Sequence, residues 1–171
     1  MNIKIETYSG KLFDVLNPKP SDICLIDIAH SLSMLCRFGG HCQHFYSVAQ
    51  HSVLMCRANL PGDPIMYLFH DAAEAYISDI VSPLKRFLGT LIRRVEDNIM
   101  DAIMDAFDIT VMDDELIHKG DMIMLATEKR DLMNDTCKWE TKLPAPLPDK
   151  IIPWTQNSAK EEFFLQAEFL L

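Results

Sequence analysis

His70 and Asp71 stand side by side in the segment LFHDAAEAY, among apolar neighbours, with Glu74 one helical turn further on. Polar and ionised groups set into an apolar helix must be paired or bound, because an isolated buried charge is very costly. Successive helix residues lie about 100° apart, so His70 and Asp71 can both turn toward one point at the helix edge. Glu74 faces nearly the same way. An imidazole nitrogen beside a carboxylate oxygen is a ligand pair for a divalent metal. The plainer reading is a polar stripe facing water, and Asp79, five residues beyond Glu74, does not decide between them.

Two adjacent ligands cannot complete a site, so others must come from elsewhere in the chain. His51 is the best upstream choice, at the fourth position of a helix in SVAQHSVLM. Its bland alternative is a helix-face histidine bonded to a backbone carbonyl. Downstream, Asp121 in HKGDMIMLATEKRDLM precedes an apolar run and enters the core from its helix. The other histidines carry less. His30 lies among Ile28, Leu32 and Met34 and reads as core packing, and His118 reads as exposed. His41 and His44 could line a pocket near Arg37, although surface positions are the commoner outcome.

The elements that position these residues are nearly all helices. Residues 3–16 predict a hairpin, with Ile3, Ile5 and Thr7 alternating and a turn at Ser9-Gly10. A first helix is expected over about 22–37. A second starts at the capping box Ser47-Val48-Ala49-Gln50 and runs to about Ala58. A third begins with Asp63 as cap and Pro64 in the first turn, and continues through Tyr76. Long helices follow over about 86–107 and 113–134. The four prolines in 143–153 predict a loop or an extended arm that could wrap a neighbour. Ser158 and Glu161 form a second capping box ahead of a terminal helix.

Composition narrows the function classes. A length of 171 residues suits one domain, 1–171, whose apolar content supports a core without disulfides. The net charge of −9 argues against a partner such as a nucleic-acid duplex, whose phosphates require basic surface. The five cysteines are odd in number and irregularly spaced, which fits free thiols in a reducing compartment. Cys36 and Cys42 do not have a convincing metal spacing. The start lacks the layout of a signal peptide, and no apolar run approaches a membrane span, so a cytoplasmic location is expected.

The order H…HD…D resembles the HD phosphohydrolase superfamily, an all-α helical bundle. The segments YSVAQHSVLM, LFHDAAEAYISDIVSPLK and GDMIMLATEKRDLM are similar to those of the bacterial 5′-deoxynucleotidases and the phage dATP triphosphohydrolases. The likeness covers roughly residues 5–135 and also touches the final helix. It implies one metal, Zn, Co or Mn, on His51, His70, Asp71 and Asp121, with Mg accompanying a triphosphate. It implies Glu74 as the catalytic glutamate and Asp79 as the neighbouring acid. Arg37-Phe38 matches an Arg-Trp pair that binds phosphate and packs on the sugar, with Phe in place of Trp. Relatives form dimers or larger rings, so a homo-oligomer, dimer or hexamer, is expected.

The chemistry agrees with that likeness. A bound divalent metal acidifies a water for attack at phosphorus, Glu74 could take the water proton, and Arg37 can grip phosphate oxygens through two N–H groups. Lys85, Lys129 or Arg130 could meet the outer phosphates, against the plainer reading of solvated charges. Lys85 and His41 complete the expected substrate contacts. The expected function is hydrolysis of a deoxynucleoside phosphate at the α-phosphorus, with dATP triphosphohydrolase favoured over 5′-deoxynucleotidase. A non-catalytic nucleotide sensor and a purely structural helical protein are the competing classes.

Overall fold

The hairpin expected over 3–16 forms in the computed structural model, which describes residues 3–171. Strands β1 (Lys4–Glu6) and β2 (Leu12–Asp14) are antiparallel, with Ile5 opposite Phe13. Phe13 is fully buried and stacks on Tyr76, with ring centroids 3.9 Å apart. Ser9 donates from its amide and its hydroxyl to buried Asp27, at 2.6 and 2.8 Å, fastening the turn to α1 (Leu25–Met34). That helix is shorter than expected, because the chain after it becomes extended and Cys36 bridges to Ser47.

Helix α2 (Val48–Arg57) begins where the capping box places it, with Ser47 accepting from the Gln50 amide at 3.1 Å. The reciprocal half of the box is not made. The Gln50 side chain instead donates to the Ile152 carbonyl at 2.8 Å and accepts from the Trp154 amide at 2.9 Å. Helix α2 is central: Val48, Ala49, Val53 and Met55 have no exposed surface.

Helix α3 (Pro64–Phe69) starts at the expected Asp63 cap but does not continue through Tyr76. Over residues 70–73 the winding tightens, with Ala72 N–H donating to Phe69 O and Glu74 N–H to Asp71 O, three residues back in each case. This is 3₁₀ geometry, about three residues per turn, and such a stretch within a helix often marks a functional position. Helix α4 (Glu74–Ile77) then resumes. His70 and Asp71 therefore occupy a tightened joint between two helices, and not the middle of one.

The helix expected over 86–107 is two: α5 (Ser82–Leu88) and α6 (Thr90–Ala106), separated by Gly89 at φ +68°. A left-handed residue ends a right-handed helix, and glycine adopts it without steric cost. Helix α7 (Asp114–Leu132) is capped by Asp113. Gly120 lets this helix lie close to α3, since a Cβ there would come within 2.7 Å of Tyr67 Cε1.

The proline-rich arm does not reach outward among the described residues. Arg130 donates to the carbonyls of Leu147 and Asp149, Asp131 accepts from the Ile151 amide, and Thr127 accepts from the Leu147 amide. The last turns of α7 thus satisfy an arm that has few partners of its own, and the arm lies along its own chain. Helix α8 (Gln156–Leu170) is capped by Thr155, which accepts from the Ser158 amide at 3.1 Å; Ser158 itself is inside the helix. Fully buried Ala159, Phe163 and Ala167 form the stripe by which α8 packs against α1, α2 and α3.

Candidate metal centre

The cluster residues enter from three separate segments. His51 comes from α2, His70 and Asp71 from the joint after α3, and Asp121 from the second turn of α7. One ligand atom each from His51, His70 and Asp121 lies within 4.8 Å of the other two. His51 Nε2 is 3.3 Å from His70 Nε2 and 3.5 Å from Asp121 Oδ1. Asp71 Oδ2 adds a fourth donor, 3.2 Å from His70 Nε2 and 3.7 Å from His51 Nε2.

The other ring nitrogens are already engaged. His70 Nδ1 donates to the Tyr67 carbonyl at 2.8 Å, which sets its tautomer. His51 Nδ1 donates to Glu128 Oε1 at 2.6 Å, deep in the protein. Both Nε2 atoms thus point at the same place. This is the outer support that metal-bound histidines usually have. Two imidazoles and two carboxylates so disposed fit a divalent cation such as Zn²⁺, Co²⁺ or Mn²⁺.

Glu128 was not among the residues expected from the sequence. It lies seven residues after Asp121, two turns along the same face of α7, and that spacing was the available signal. Burial opposes its charge, but Arg37 and His51 outweigh that and hold its carboxyl below the usual range.

Arg37 faces inward. It donates to Asp71 Oδ2 at 3.2 Å and Glu128 Oε2 at 3.3 Å, and Asp121 Oδ1 lies 3.7 Å away. The open phosphate grip expected of it is replaced by ion pairs with the ligand carboxylates, as a buried guanidinium requires. For His70, burial opposes the charged ring, but Asp71 beside it prevails and raises its pKa above the ordinary 6.5. Asp71 is held well below the carboxylate range, His70 overcoming the cost of burial.

Glu74 sits next to this cluster. It is buried, Oε1 accepts from Lys85 at 3.3 Å, and Oε2 has no partner among the described residues. Burial, then the charges of Asp71 and Asp79, push its carboxyl well above the ordinary 4.5. Asp79 follows Ser78, which is strained at φ +74°, and burial raises its pKa while Arg37 opposes the rise. Lys85 is held between Glu74 and Glu96, the latter at 2.6 Å, so it is not a free phosphate contact.

The remaining expectations are scattered. His41 and His44 are exposed, as is His118. His30 is half-buried and stacks on Tyr8 at 3.7 Å, not in the core. Phe38, at φ 57°, faces Trp139 with ring centroids 6.1 Å apart. Lys129 donates to the Asn134 carbonyl and Arg130 holds the arm, so both are structural. Burial pushes the Cys42 thiol up to about 12, and it donates to the Arg37 carbonyl, a protonated sulfur and not a ligand. A cleft of about 380 Å³ opens beside the cluster, bounded by His70, Asp71 and Glu74 on one side and by α6 and the region around the start of α7 on the other.

Fold and site together define an all-helical protein with an N-terminal hairpin and a histidine–carboxylate cluster able to hold a metal ion. Among the described residues no helix is long and apolar enough to cross a membrane. The chain is 42% identical over 159 residues to the uncharacterized protein YfdR of Escherichia coli strain K12, covering 91% of this chain and 88% of that protein. It therefore belongs to the same family as YfdR. An uncharacterized protein of Rhodobacter capsulatus is 36% identical over 105 residues, covering 56% of this chain and 53% of that one. No protein-family model matches the chain.

Proposed function

We propose that the chain is a metal-dependent phosphohydrolase of the HD type, acting on deoxynucleoside phosphates at the α-phosphorus. The favoured reaction is conversion of dATP to deoxyadenosine and triphosphate. The observation that carries this reading is the pair of imidazoles, each with Nδ1 engaged and Nε2 turned toward the carboxylates of Asp71 and Asp121.

A divalent cation held by His51, His70, Asp71 and Asp121 would acidify a water and draw charge from a phosphoryl oxygen. Glu74, buried beside the ligands with one oxygen unpartnered, is placed to take a proton from that water and return it to the leaving group. Its raised pKa makes it a stronger base than an exposed glutamate. Lys85 keeps Glu74 oriented through Oε1. Arg37 supplies the positive charge that balances Glu128 and the ligand carboxylates.

The test is a panel of mono-, di- and triphosphates of ribo- and deoxynucleosides, assayed with Zn²⁺, Co²⁺, Mn²⁺ and Mg²⁺. Triphosphate released from dATP supports the reading. Orthophosphate from monophosphates would instead make the chain a 5′-deoxynucleotidase. Nucleotide binding without turnover under any metal would make it a sensor.

A further inference from the structure

The cleft beside the cluster has a second wall, which the proposed hydrolysis does not use. Met100 and Met104 lie one turn apart on α6, and Met112 lies just ahead of α7. Thioether side chains adapt their shape and pack favourably on aromatic rings. The polar groups around them are of one kind: Asp97 and Asp101 from α6, and Asp114 from the first turn of α7. Ionised carboxylates only accept hydrogen bonds. Glu96 and Lys85 also border the cleft but satisfy each other at 2.6 Å, which leaves the three aspartates to meet a ligand.

Two further features make this more than an acidic surface. The cleft is continuous with the cluster through His70 and Asp71, and Glu74, buried with an unpartnered oxygen, lines the same space. Its volume, about 380 Å³, lies at the small end of ligand pockets and suits a single nucleoside. The aspartates would repel phosphate, so the phosphates belong at the His70–Asp71 end, against the metal cluster, and the other end of the substrate belongs against the methionines.

Resting on the phosphohydrolase reading, we propose that this wall holds the nucleobase, with Asp97, Asp101 and Asp114 selecting bases that present an exocyclic amine. Adenine and cytosine offer N–H donors to these carboxylates. Hypoxanthine and thymine present a carbonyl oxygen at the same position, which the carboxylates disfavour.

The experiment compares deoxyadenosine with deoxyinosine, which differ by an amine against a carbonyl at that position. Binding to the full chain loaded with Mn²⁺ is measured by calorimetry and, for millimolar affinities, by ligand-observed NMR. Deoxyadenosine should bind about tenfold more tightly. In the Asp97→Asn/Asp101→Asn double variant the ratio should fall toward one, because an amide donates as well as accepts. Equal affinities in the unaltered chain, binding of neither nucleoside, or a ratio the double variant leaves intact would overturn the proposal. If no nucleotide is hydrolysed, the phosphohydrolase reading fails by itself, and the nucleoside comparison still reads the cleft.

Discussion

His51 Nδ1 and Glu128 Oε1 lie 2.6 Å apart, both side chains fully sealed from water. The contact orients the imidazole, and Arg37, donating to Oε2, is the charged neighbour of Glu128. Glu128→Gln keeps the shape and removes the charge, so metal affinity should fall about 10–100-fold. Competition against a chelator measures it, and an unchanged affinity would detach Glu128 from the centre. Glu128→Ala should cost about 3–5 kcal/mol in urea unfolding, because it takes a buried carboxylate partner from the buried Arg37 charge.

Metal should stabilise the fold. A cation at about 100 times its Kd adds about 2.7 kcal/mol, or roughly 5–10 °C in Tm for a chain of this size. His70→Ala should abolish that shift. A proton on His70 competes with the metal, and its pKa lies above the ordinary 6.5. Affinity should therefore be full above that raised pKa and fall as the pH drops through it. Affinity independent of pH from 5 to 9 would remove His70 from the ligand set.

Glu74→Gln should slow turnover by about 10²–10⁴-fold while metal still binds. It should also stabilise the metal-free protein. The folded pKa of Glu74 is raised, so the native state binds its proton more tightly than the unfolded chain does. The resulting penalty is absent below the ordinary 4.5 and grows as the pH rises from there to the folded value. Urea unfolding of both forms with chelator, at acid and at neutral pH, reads the difference. A gain over the unaltered chain no larger at neutral pH than at acid pH would count against a buried Glu74 with a raised pKa.

Gly120→Ala tests the approach of α7 to α3. Alanine favours a helix by about 1 kcal/mol, but here its Cβ would meet Tyr67 and Leu60 at 2.7 and 3.0 Å. Overpacking should prevail, at about 1–3 kcal/mol, and metal affinity should drop with it because Asp121 is the next residue. A more stable protein with unchanged affinity would show that the helices separate freely.

The parts of the fold legible in the sequence were those set by local chemistry. The hairpin turn, the Ser47 and Asp63 caps and the length of α7 follow from residues within a few positions of one another. The break at Gly89 and the tightened joint at 70–73 were less legible, because apolar periodicity runs straight through both. For the site, the convergence of His51, His70, Asp71 and Asp121 could be read from residue type and order. Glu128 left only a spacing, seven residues after Asp121 on the same face of α7, since its role depends on a contact with a residue 77 positions away. Arg37 was read as an open phosphate grip because its three carboxylate neighbours come from distant segments.

Gln50, the residue before His51, takes the backbone of Ile152 and Trp154 into its side-chain amide. Helix α2 is thereby buckled to the far end of the chain, and α8 closes over it. A ribosome-bound chain still lacking those residues would hold every ligand yet have a loose α2. Cation capture should thus be among the last events of synthesis, and a truncation near residue 150 should disable a centre it never touches.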